Sequence, residues 1–179
     1  MLRKLIRKLL DFICDNISYF FFRISISKYS KKHEAVIFDL DNTLVDTYPL
    51  LNRMSLSEVF RNAKVHPVMV SLLKDFSKKD IKIYILTSRK INYYYITKFF
   101  LIENCMENVP FFLVSKPIEK IKFLKSATRV FHKVTYYDDL SFNHENGEVK
   151  FYQDIINEIH KLPVSYFGYK EIIAINKYN

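Results

Sequence analysis

From Glu34 onward the chain alternates short apolar runs with segments of helical period. That alternation constrains the fold more than any other feature of the sequence. The runs are Ala35–Phe38, Ile81–Leu86, Phe111–Val114 and Val134–Tyr137, with a further one at Ile172–Ile175. They are rich in β-branched and aromatic residues, as strands covered on both faces must be. Helix signals lie between them. Pro67 stands at a first helical position ahead of Val70, Leu73 and Phe76, and a Lys-Lys-Asp stop follows. Asn92–Glu103 carries Tyr93, Ile96, Phe99, Phe100 and Ile102, and Pro117 precedes Ile118, Ile121 and Leu124 on one face. Phe151–Lys161 repeats the pattern with Ile155, Ile156 and Ile159. Strands that alternate with helices make βαβ units. The expectation is an α/β fold, a Rossmann-like parallel sheet of about five strands with helices on both faces. At 179 residues, 49% of them hydrophobic, the chain is long enough and apolar enough for one such domain.

Composition removes several functional classes. With 2 Gly in the chain, neither a P-loop nor a GxGxxG dinucleotide site can be built. Cys14 and Cys105 are too few for a disulfide framework or a Cys-rich zinc site, and a reducing, cytoplasmic setting is expected. The five His residues are scattered with no HExxH, which argues against a zinc hydrolase.

In open parallel sheets ligands bind beyond the carboxyl ends of the strands. Here those ends are polar in a consistent way. The first runs into Asp39-Leu40-Asp41-Asn42-Thr43, two carboxylates that can converge on one point and call for a cation with hard oxygen ligands. The second ends in Thr87-Ser88-Arg89, whose hydroxyls can bind an anion. The third ends in Ser115-Lys116-Pro117, a cation just before a helix start, and the fourth in Asp138-Asp139. Taken singly, each has an ordinary structural use: a solvated turn, a strand-end hydroxyl, a surface lysine, an N-cap pair. Together and in order they are the parts needed to act on a phosphoryl group with magnesium.

VIFDLDNTLVDT, IYILTSR, SKP and TYYDDL resemble motifs I to IV of the haloacid dehalogenase superfamily of phosphotransferases, over about residues 34–140. The resemblance implies a role for each matching residue. Asp39 is the nucleophile that forms an aspartyl-phosphate, and Asp41 protonates the leaving oxygen and later activates water. Thr87 holds a phosphoryl oxygen. Lys116 neutralises charge on the phosphoryl and on Asp39, with Lys120 as the alternative one turn further in. Mg2+ is held by Asp39, the backbone carbonyl of Asp41 and Asp138, with Asp139 in support. Arg89 either touches substrate or ends its strand. Asn143-His144-Glu145 follows motif IV and is read as a loop at the mouth. The chain departs from the family in its shortage of Gly: Asp80, not Gly, precedes Ile81.

Relatives often carry a cap domain. Leu44 to Val65 leaves room for a flap and a short helix, and Arg89 to Ser115 for one helix and one strand, so no full cap is expected. An open mouth excludes water poorly by itself. It implies a large or membrane-proximal phosphorylated substrate that acts as its own lid, or a homo-oligomer in which a second copy covers the site.

Residues 1–33 hold eight basic and two acidic side chains, +6 of the chain's +9, so the body from 34 to 179 is close to neutral. A nucleic-acid binder would spread positive charge over its face, and this distribution argues against one. Leu2, Leu5, Ile6, Leu9, Ile13 and Ile17 recur at helical spacing, with bases and two acids between them. The pattern is an N-terminal amphipathic helix. Charges interrupt it too often for a membrane span, and no cleavage site makes it a signal peptide. Its acids also count against a mitochondrial transit peptide. It either lies on an anionic membrane through residues 1–24 or packs on the domain or on a second copy. The leading function is a magnesium-dependent phosphomonoester hydrolase with an aspartyl-phosphate intermediate. The alternatives are a catalytically silent module at a membrane surface and a nucleic-acid end phosphatase.

Overall fold

A computed structural model describes residues 2–51, 53–142 and 152–177. The elements in chain order are α1 (Leu2–Ser27), β1 (Glu34–Phe38), β2 (Val45–Asp46), α2 (Tyr48–Leu51), α3 (Leu56–Asn62), β3 (Lys64–Val65), α4 (Pro67–Lys78) and β4 (Lys82–Thr87). They continue with α5 (Tyr94–Glu103), β5 (Phe111–Leu113), α6 (Lys120–Val130), β6 (Lys133–Tyr137), α7 (Gln153–His160), β7 (Val164–Phe167) and α8 (Tyr169–Lys177). Five strands form one parallel sheet in the order β5-β4-β1-β6-β7, with β1 at its centre. The fold is therefore the α/β layered sheet expected, with a long N-terminal helix added.

Alternation along the strands sorts the core into two layers. Ala35 and Ile37 of β1, Tyr84 and Leu86 of β4, and Val134 and Tyr136 of β6 face α1, α6 and α7, where they meet Phe22, Phe123 and Ile159. Val36 and Phe38, Ile83 and Ile85, and Tyr137 face the other way, onto Met69 and Leu73 of α4, Phe100 of α5 and Ile172 of α8. Pro67 does start α4. The α4–β4 turn then needs a left-handed residue, and Asp80 supplies it at φ 57.

The chain between β1 and β4 forms an antiparallel flap, Val45 opposite Val65, with α2 and α3 at its tip. Between β4 and β5 there is α5 after a single 3-10 turn. No full cap is present among the described residues.

One feature differs from the sequence reading. Ile172–Ile175 is part of α8, not a strand, and the fifth strand is Val164–Phe167. A four-residue apolar run has no readable period, and Gly168 with Glu171 in the first turn marks a helix start instead. α1 is one unbroken helix to Ser27, and Phe22 and Ile26 are in the core. Among the described residues no helix is long and apolar enough to cross a membrane.

Candidate active site

Sheet register brings the first two carboxylates together. Phe38 of β1 is level with Tyr137 of β6, so the next residues, Asp39 and Asp138, emerge side by side at the carboxyl edge. The Asp39 backbone N donates to Tyr137 O at 2.8 Å, and Asp138 N donates to Phe167 O at 3.1 Å. Both side chains are nearly sealed from solvent and follow the α6 face of the sheet. A carboxylate there is costly without a counter-charge.

Lys120 supplies it. Its Nζ donates to Asp39 Oδ1 and to Asp138 Oδ2, each at 2.7 Å, and the whole side chain is buried. Burial alone would depress the lysine's pKa, but the two carboxylates outweigh it and hold the ammonium above its ordinary range. Lys116, which leads from the strand, is exposed. The reason is the crossover. β5 lies at the sheet edge, two strands from β1, and the chain crosses β4 and β1 on its way to β6. A residue at the end of β5 is still about 10 Å short of the centre. After the 3-10 turn Pro117–Glu119, the first residue of α6 has arrived over it.

Tyr136, two residues before Asp138 on the same face, donates its hydroxyl to Asp138 Oδ2, and Tyr166 donates to the Asp138 carbonyl at 2.8 Å. Burial pushes both phenols up, and the Asp138 charge adds to it. Asp39, Asp138 and Asp139 place carboxylate oxygens within 4.8 Å of one another. Asp39 is held well above the ordinary carboxylate range: burial raises it, Lys120 pulls back, and Asp138, Asp139 and Asp41 raise it again. Three carboxylates converging beside one ammonium make a hard-oxygen donor set of the kind that can hold a divalent cation.

Asp41 makes a different pair. Its Oδ2 accepts from Arg89 Nε at 2.9 Å and its Oδ1 from Arg89 Nη2 at 2.7 Å, a two-pronged fork. Arg89 is buried, with its guanidinium carbon 3.9 Å from the Phe60 ring centre and Nη1 donating to Thr97 Oγ1 at 3.3 Å. The flap and α5 therefore lock the arginine, and the arginine orients Asp41. Asn42, at φ 58, accepts from the backbone N–H of Thr47 and Tyr48 and ties the flap to the loop.

Thr87 and Ser88 divide by strand parity. Thr87 follows Ile83 and Ile85 away from the carboxylates, is fully buried, and reaches Asp41 Oδ2 at 3.4 Å. Ser88 follows Tyr84 and Leu86 onto the carboxylate side. Its Oγ is buried with no hydrogen-bond partner among the described residues. A cavity of about 230 Å³ joins Asp39, Asp41, Ser88, Arg89, Lys120, Asp138 and Asp139. Ser88 was legible in principle from the alternation along β4, and the burial of Arg89 was not, since it depends on the flap. Asn143-His144-Glu145 lies outside the described residues.

No protein-family model matches the chain, and no curated protein matches it in sequence. Solved structures do. A chain of a Pnkp1/Rnl/Hen1 RNA repair complex is similar with a TM-score of 0.54 and 22% identity, over 76% of this chain and 43% of that one. This protein thus spans less than half the length of that relative. The class C acid phosphatase of Bacillus anthracis is similar with a TM-score of 0.51 and 18% identity, over 96% of this chain and 84% of that one. At these identities the likeness is one of fold alone.

Proposed function

We propose that this protein is a magnesium-dependent phosphomonoester hydrolase that works through an aspartyl-phosphate on Asp39. One observation carries the reading: two adjacent buried carboxylates share a buried ammonium, beside an unpartnered hydroxyl, at the floor of an open cavity. A purely structural core would not bury that many charges, since apolar packing of the same volume is usually at least as stable.

In the first step a carboxylate oxygen of Asp39 bonds to phosphorus while the bond to the leaving oxygen breaks. That oxygen takes its proton through Asp41, whose carboxylate must first leave the two-pronged Arg89 pair to carry one. In the second step Asp41 takes a proton from water, water oxygen bonds to phosphorus, and the bond to Asp39 breaks. Lys120 and Ser88 face the phosphoryl oxygens, while Thr87 braces Asp41. Asp39, Asp138, Asp139 and the Asp41 carbonyl would hold Mg2+, which when bound adds positive charge against the phosphoryl and the carboxylates. The open mouth suits a large substrate or one presented at a surface.

A nucleic-acid end is the second reading, favoured by the fold likeness to a chain of an RNA repair complex. Its sign would be a substrate affinity that falls steeply with salt.

Asp39→Asn is expected to lower hydrolysis of an aryl phosphate by roughly 10⁴-fold or more with the circular dichroism spectrum unchanged. Turnover at the wild-type rate would remove Asp39 as nucleophile. Beryllofluoride with Mg2+ should raise the Tm of the wild type and not of the variant. No effect on either would favour a catalytically silent module.

A further inference from the structure

α1 has two unlike faces. Asp11, Asp15, Tyr19, Phe22 and Ile26 follow one another at spacings of four, four, three and four and look inward. Asp15 accepts from the Ser115 backbone N at 2.7 Å and from its hydroxyl at 2.5 Å, Tyr19 bonds Ser126 at 2.6 Å, and Phe22 packs on Tyr84, Phe112 and Phe123. On nearly the opposite face, Leu2, Leu9, Ile13, Ile17, Phe20 and Ile24 are between 43% and 70% exposed and form one continuous stripe. Five more large apolar side chains of the helix widen it. An apolar groove of about 460 Å³ between α1, Ile91, Tyr94 and Phe111 continues it along the β5 edge. A soluble monomer does not ordinarily leave so long an apolar surface in water.

Charge identifies the occupant. Arg3, Lys4, Arg7 and Lys8 crowd the first two turns, and none is ion-paired among the described residues. The two acids of the helix are turned inward, Asp15 onto Ser115 and Asp11 toward Lys90 at 3.9 Å. No carboxylate of α1 faces outward to neutralise a second copy of the same helix, so pairing two copies along this stripe would bring base against base. An anionic lipid surface offers hydrocarbon to the stripe and negative charge to the bases at once.

We propose that α1 docks in the interface of an anionic membrane through the stripe running from Leu2 to Ile24. The docking stands apart from the phosphatase reading, and only its orientation draws on that reading. Asp15 is anchored just beyond the carboxyl end of β5, and the helix runs on past it to Leu2 for about 20 Å, with residues 2–10 all exposed. That is the sheet edge which carries Asp39 and Asp138. A docked helix holds the cavity mouth close to the lipid surface, where a phosphate ester borne by a membrane component can reach it.

The test is sedimentation of the full chain with vesicles of phosphatidylcholine, alone or with about one-third phosphatidylglycerol. The protein is expected to sediment with the anionic vesicles, weakly with neutral ones, and less as salt rises. Leu9→Glu with Ile13→Glu should lower the bound fraction by roughly tenfold and leave hydrolysis of a soluble aryl phosphate unchanged. Asp39→Asn should bind vesicles like the wild type, which separates docking from catalysis. Failure to bind anionic vesicles, or binding that survives the double substitution, overturns the proposal. So does a lipid-free dimer abolished by Leu9→Glu with Ile13→Glu while vesicles stay bare, which would assign the stripe to a second copy.

Discussion

The carboxyl edge of the sheet and the first half of α1 both break the ordinary rule of where charged and apolar groups go. The edge buries charge: Asp39, Lys120, Asp138 and Arg89 are almost without solvent contact. The helix exposes apolar side chains from Leu2 to Ile17. The two differ in how the cost is met. At the edge every buried charge has its counter-charge within the chain, at 2.7 Å in each pair. Along the first half of the helix nothing among the described residues covers the apolar side chains. Buried ions have to be compensated before the fold can form, whereas exposed apolar surface can wait for a partner.

Removing the counter-charge is the hardest way to break this contrast. Lys120→Met leaves Asp39 and Asp138 facing each other in a dry site and is expected to cost about 3–5 kcal/mol of stability without added metal, together with most activity. Lys116→Met should alter neither beyond about 0.5 kcal/mol, because Lys116 is exposed. Urea unfolding of the two variants checks this, and equal effects would return the role to Lys116. Within α1, Phe22→Ala empties a site among three aromatic rings and is expected to cost about 3–4 kcal/mol, while Leu9→Ala should be near neutral. A large loss at Leu9 would mean that the chain itself covers the stripe.

The smallest effect is one of pH. A carboxyl pKa raised on folding, as that of Asp39 is, means that the folded protein keeps a proton which the unfolded chain has lost. The stabilisation from that proton is complete below the ordinary carboxylate pKa and is lost as pH rises through the shifted value. On the proposed function Mg2+ would take the place of the proton, and its effect should then grow with pH. The Tm gain with Mg2+ over a chelator is expected to be a few degrees at about pH 7.5 and close to nothing at about pH 5. Asp138→Asn should flatten the difference. A gain that is larger in acid would place the ion elsewhere.

Much of this was readable along the chain. The four apolar runs at residues 35–38, 81–86, 111–114 and 134–137 fall on strands, because side chains buried on both faces leave a composition that no surface segment shares. Asp39 and Asp138 were legible because a polar residue directly after a central strand can only stand at the sheet edge. Ile172–Ile175 misled because four apolar residues look alike in a strand and in a buried helix turn. Asp80 shows the opposite lesson: this left-handed turn forms without a glycine, since Asp also tolerates a left-handed backbone.

The sequence by itself determined the layers, the order in which the acidic and hydroxyl tips arrive, and the two-faced character of the first helix. All of these rest on local period and on residue type next to residue type. Which lysine reaches the carboxylates, which hydroxyl opens into the cavity, and that Arg89 grips Asp41 were decided only in three dimensions. They depend on strand order, on the parity of β4 and on a flap folded over α5. Those relations join residues from 18 to 81 positions apart, and no short window of sequence contains them all.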